Sequence, residues 1–157
     1  MASTITPAPL TVIIAEQITL NGTPYGAKTR YTVDNITEIS KRIVTTNGTG
    51  STEILRFHPS ASAGQFINTD VRYVRITNLD NANYATLRFV GASATDYAFR
   101  LDPTGSHVIT TSQPSGSSNA GVTSYADITG VSLTNLQTIS AIANSASVDL
   151  ELFVASI

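Results

Sequence analysis

A chain of 157 residues is long enough for one well-cored domain and short for two. Only 13% of it is charged, against roughly 25% in an average globular domain, and its polarity rests on 23 threonines and 17 serines, a surface suited to packing against copies of itself. The absence of cysteine excludes disulfides, thiolate nucleophiles and Cys-based zinc sites, and a net charge of -2 argues against a nucleic-acid partner.

The opening residues, MASTITPAPL, lack the basic region and apolar run of a secretion signal, and no apolar run in the chain is long enough to cross a membrane. Pro7 and Pro9 disfavour helix and cannot donate to a ladder, so residues 1–10 are expected to form either a free tail or an extended N-terminal arm of the kind that lies across a neighbouring subunit. Residues 11–157 are expected to form a single β-sandwich domain.

Val12, Ile14, Ile18 and Leu20 share one face of a first strand, closed by the hairpin signal Asn21-Gly22. Thr29, Tyr31 and Val33 alternate up to Asp34-Asn35, and Ile39, Lys41 and Ile43 up to Asn47-Gly48. TEILRF ends at His58-Pro59. Two alternating runs then flank the polar knot Leu79–Asn83, and Tyr97, Phe99 and Leu101 precede the turn Asp102–Gly105. After a short run at Val108-Ile109 comes SQPSGSSNAGVTS, read as an exposed loop. LTNLQTISAIA approaches a helical period, but its Thr and Ile content favours a strand. In VDLELFVAS, Val148, Leu150, Leu152 and Val154 face one way and Asp149 and Glu151 the other. Nine or ten strands with frequent turns predict an all-β protein, a jelly-roll-like β-sandwich with an extended N-terminal arm.

No catalytic constellation emerges from the spacing. His58 and His107, the sole histidines, sit at strand ends as rim histidines do. Glu16, Glu38, Glu53, Asp149 and Glu151 read as the solvated side of sheets, not as a glycosidase pair. The Asx-rich stretches Asp34–Glu38 and Asn78–Asn83 lack the twelve-residue calcium pattern and are expected to close on their own backbone. Three sequons, beginning at Asn21, Asn35 and Asn47, read as turns. The chain is therefore expected to be no enzyme and to hold no metal or cofactor.

Seven of nine basic residues are arginine, which makes planar bidentate contacts and tolerates interfaces better than lysine. Arg56, Arg72, Arg75, Arg88 and Arg100 fall within expected strands. Arg72 and Arg75, three apart, should point to opposite faces. One reading ties these arginines to carboxylates across the sheet; the other makes Arg72, Arg75 and Arg88, with Pro7 and Pro9, a subunit interface.

The segments RYVRITNLDNANYATLRF and YAFRLDPTGSHVITT resemble small structural proteins of tailed bacteriophages, cyanophages among them. In these a hairpin of the form R-I-T-N-L-D-x-x-N precedes an aromatic strand, a turn and a hydroxyl-rich strand. The stretch from Ile18 to Phe57 is similar to their front half. The resemblance spans Ile18 to about Thr111 and implies a virion subunit present in many copies, its surface hairpin at Leu79–Asn83, with no catalytic residue to transfer. The expectation is a capsid decoration or cement protein, a homotrimer contacting itself and the major capsid protein or tail proteins. It would be made in the host cytoplasm and resident in the virion, bound to neither nucleic acid nor membrane. The competing expectation is a tail or fibre component that stacks a receptor carbohydrate on Tyr25, Tyr84 or Tyr125.

Overall fold

Alternation of apolar and polar side chains becomes strand along nearly all of the chain that the computed structural model describes, residues 5–92, 96–110, 133 and 135–157. β1 (Ala8–Glu16) and β4 (Ala27–Ile36) pair only with each other, and β2 (Thr19–Leu20) and β3 (Thr23–Pro24) continue this ribbon to its tip. Two larger sheets hold the rest. One has β5 (Glu38–Thr46), β8 (Val71–Asn78), β11 (Ser106–Thr110) and β13 (Val148–Ser156) in the order β11-β8-β13-β5. The other has β6 (Thr52–His58), β7 (Phe66–Ile67), β9 (Ala85–Gly91), β10 (Asp96–Leu101) and β12 (Leu136–Ala143) in the order β10-β9-β12-β6-β7. The result is an all-β sandwich.

Pairing is nested: β5 with β13, β6 with β12, β8 with β11, and β9 with β10, all antiparallel. The facing sides close over one core in which Val74, Ile76, Leu87, Phe89, Ile139, Val148 and Leu150 are fully buried. Burying such side chains removes roughly 1.5–3 kcal/mol each from contact with water, and the chain's stability rests there.

The expected arm boundary at residue 10 falls inside β1. Pro9, which cannot donate to a ladder, occupies a register irregularity between Ala8 and Leu10, and pairing runs on to Glu16↔Ala27. The projecting element is thus a hairpin from Ala8 to Ile36, and the sandwich sheets start with β5. Its tip is a primed turn, with Asn21 at φ 49 and Gly22 at φ 79, as Asn-Gly predicts. At Gly26 a Cβ would stand 2.7 Å from the Glu16 carbonyl oxygen, so only glycine lets the two strands approach there. Asp34-Asn35, expected to end a strand, is a bulge within β4 with Asn35 at φ 61.

Leu79–Asn83 is not the tip of a hairpin. β8 and β9 belong to opposite sheets, so the knot is an arch between them. Buried Asn78 shapes it: its Nδ2 donates to the carbonyls of Asn83 (2.9 Å) and Leu101 (3.3 Å), and its Oδ1 accepts the Asp80 N–H (2.9 Å). The Asp80 carboxylate accepts the N–H groups of Ala82 (2.7 Å) and Asn83 (2.6 Å). Those backbone bonds hold its pKa below the usual value. The Asx-rich knot thus closes on its own backbone.

LTNLQTISAIA ends in a strand, β12, held between β6 and β9. An extra residue between Leu136 and Thr138 lets Leu136 and Ile139, three apart, both face the core, which produced the helix-like spacing. The loop SQPSGSSNAGVTS lies outside the described residues.

Candidate functional site

The base of the hairpin is fastened to the outer face of the four-stranded sheet. Leu10, Val12, Tyr31 and Val33 pack on Ile36, Tyr73, Phe153 and Ala155, with Tyr73 edge-on to Phe153 at 5.9 Å. Beside them Arg75 donates to Glu151 Oε1 (2.6 Å) and lies 6.0 Å from the Phe153 ring centre, while Lys41 meets Glu151 Oε2 at 2.9 Å. The Lys41 hydrogen bond, aided by Arg75, keeps the Glu151 carboxyl below the usual carboxylate range.

Beyond that seam the ribbon is open to solvent. Every residue from Ile13 to Arg30 is exposed, among them Ile13, Ile14, Ile18 (56%), Leu20 (57%) and Tyr25 (62%). An isolated two-stranded hairpin is marginal in water, and one that presents five large apolar side chains on both faces is built to be covered. Next to its base a cavity of ≈ 270 Å³ opens between Ile5, Pro9, Leu10, Ile36 and Ile39. Ile39 (58%) and Ile43 (60%) stand exposed on β5, the edge strand.

The structure scatters the residues expected at an interface. Pro9 lines the apolar cavity and Pro7 is exposed just before β1. Arg75 borders the hairpin seam. Arg72 sits at a bulge, with Val71 opposite Ser156 and Tyr73 opposite Ala155, so that it is the extra residue in the ladder. Its guanidinium turns back onto the Thr69 carbonyl at 2.5 Å. Arg88 lies on the other sheet, paired with Asp96 (2.7 Å), as Arg56 is with Glu53 and Arg100 with Asp102. Arg75, Arg88, Arg56 and Arg100 thus have carboxylate partners within the chain. The exposed ribbon itself was missed as a site, although Ile13 beside Ile14 was its signal, since adjacent isoleucines must serve opposite faces.

The remaining candidates have local roles. The His58 imidazole contacts Ser60 in its own turn, and Asp149 accepts the Thr45 hydroxyl (2.6 Å). Tyr84 lies under the Arg100 guanidinium at 4.0 Å, Tyr25 is on the ribbon, and Tyr125 is outside the described residues. Among the described residues no three His, Asp or Glu gather closely enough to hold a metal ion, and no helix is long and apolar enough to cross a membrane. On the other sheet a cleft of ≈ 520 Å³ is lined by Arg56, Phe57, His58, Pro59, Gln65 and Gln137, among others.

His107 closes one open side of the sandwich, 4.6 Å from Phe99 and 5.5 Å from Phe89. Burial among these rings lowers its pKa from 6.5. The unfolded chain takes up a proton near pH 6.5 and the folded one only at lower pH, so between the two the unfolded state binds more protons and stability decreases as pH is lowered. Melting temperature should therefore drop as pH is lowered through 6.5 toward 5.5, and His107→Phe should flatten that part of the profile.

No protein-family model matches the chain. No curated protein matches it either.

Proposed function

We propose that the chain is a virion structural protein, a capsid decoration or cement subunit acting as a homotrimer through multivalent contacts. The observation that carries this reading is the ribbon: eighteen consecutive exposed residues, Ile13–Arg30, bearing large apolar side chains, on a sandwich whose own core is closed. The nested strand order supports the jelly-roll reading of that sandwich, a wrap common among shell-forming domains. The bacteriophage resemblance across Ile18 to about Thr111 supports the virion assignment, and low charge with abundant hydroxyls suits a subunit held among copies. Weak contacts repeated over many copies become strong because each later contact is intramolecular. Gold-labelled antibody to the chain, applied to purified particles, should decorate heads at regular spacing. Label on tails alone would move the chain there, and unlabelled particles would remove the reading.

The second reading, a carbohydrate-binding tail or fibre component, draws on the cleft beside Arg56, whose amides Gln65, Asn68 and Gln137 suit sugar hydroxyls. A glycan array probed with the intact chain tests it: binding abolished by Gln137→Ala would favour this reading, and a blank array would end it.

A further inference from the structure

We infer that the exposed half of the β1–β4 hairpin docks on a second copy of the same chain, covering its β5 edge and the apolar cavity at the base of its own hairpin. This rests on the self-associating reading above and names the surfaces that perform it. Three observations select a second copy as the occupant.

The first is area. The ribbon's five apolar side chains expose on the order of 500 Å², already at the upper end for a monomer's largest patch. The receiving face adds Ile5, Ile39 and Ile43, so each ribbon-to-cavity contact brings together about 800 Å² of apolar side chain counted over both copies, before any polar rim is added. The second is reach. Ile13 to Leu20 extends about 25 Å at about 3.3 Å per residue, enough to leave its own sheet and lie along another subunit.

The third is charge. Lys28 and Arg30 stand on the ribbon, while Glu38 and Asp70 share a hollow next to the receiving cavity. No ion pair among the described residues takes up any of the four. With Glu16 the one acid among the exposed ribbon residues, the ribbon carries a net positive charge and the rim a negative one, and among the described residues the side chains of Arg30, Asp70 and Glu38 meet only the hydroxyls of Thr11, Thr69 and Ser156. Ribbon and cavity are different patches, so the contact is head-to-tail, and such contacts close into rings when the rotation permits. The free edge of β5 also offers unpaired backbone groups to an arriving strand.

The chain has no cysteine, so introduced thiols report without background. Leu20→Cys protein mixed with Ile39→Cys protein and oxidised should give a disulfide-linked pair of chains, while Leu20→Cys mixed with Thr104→Cys should give none. The double replacement Ile18→Lys with Leu20→Lys lies wholly on exposed positions, so it should keep the wild-type circular dichroism spectrum yet scatter light as a single chain. An unchanged oligomer in the double variant, no cross-link with Ile39→Cys, or a wild type that is monomeric throughout would each overturn the inference. An oligomer that ignores the ribbon but labels particles would sink this inference alone. A ribbon-linked oligomer that labels no particle would sink the virion reading alone.

Discussion

Replacing Phe89 by alanine should lower unfolding free energy by about 3–5 kcal/mol, the largest single-residue loss expected in the chain. Phe89 is fully buried on β9, a strand paired on both sides by β10 and β12. Its ring stacks on Tyr97 with centres 4.5 Å apart and planes within 3°, and it meets the edge of His107 at 5.5 Å. Truncation loses the transferred apolar surface and leaves a cavity that two flanking strands, fixed by their ladders, cannot collapse into. It also uncovers the Tyr97 hydroxyl environment, where burial has pushed the pKa up to about 12. Urea titration should show the midpoint falling with little change in slope. Because domains of this size hold only about 5–15 kcal/mol in all, the variant should sit near the threshold of folding at 37 °C. Phe89→Leu, which refills much of the space, should keep most of the loss away.

Asn78→Ala should cost about 3 kcal/mol, since each buried polar group deprived of its partner carries a penalty of about 1–3 kcal/mol. Asn78 is 1% exposed and its amide serves three backbone groups at once, the carbonyls of Asn83 and Leu101 and the N–H of Asp80. These lie on the arch and on β10, so one side chain ties the crossing between sheets to the strand beyond it. The adjacent turn is bonded to the same arch through Thr104 N–H and the Asp80 carbonyl at 3.0 Å. Besides the shifted urea midpoint, hydrogen exchange at the Asp80 amide should lose its protection, a readout that a simple core cavity would not move. Asn78→Asp keeps the acceptor, loses both donors and buries a charge, so it should destabilise more at neutral pH than in acid, where the carboxyl regains a proton.

The fold class was legible because alternation survives across most strands: β13 reads Val148, Leu150, Leu152, Val154 inward, and all four are buried. What escaped was the placement of single extra residues. At Arg72, Gln137 and Ile54 the ladders slip by one position, and each slip resets which parity faces the core. Side-chain pattern encodes a face only while the backbone keeps its pleat, so the bulge at Arg72 left no mark in the alternation and LTNLQTISAIA resembled a helix.

Strand partners were equally hidden. Nothing in RYVRITNLDNANYATLRF distinguishes a hairpin from an arch, because that choice depends on Asn78 reaching Leu101, 23 positions away. The ribbon was hidden for the opposite reason: Ile14, Ile18 and Leu20 have the pattern of a buried face, and burial within a monomer and burial against a neighbour leave the same mark in sequence. Of the residues expected at an interface, Pro9 and Arg75 border the ribbon's base, whereas Arg72 and Arg88 are engaged elsewhere.

Sedimentation equilibrium of the unmodified chain tests most directly the claim that it works by binding its own kind. The account predicts a single species at three times 16.6 kDa, holding its mass as the solution is diluted to the micromolar range. A species of 16.6 kDa at every concentration, with Ile18, Leu20 and Tyr25 still open to solvent, would contradict it.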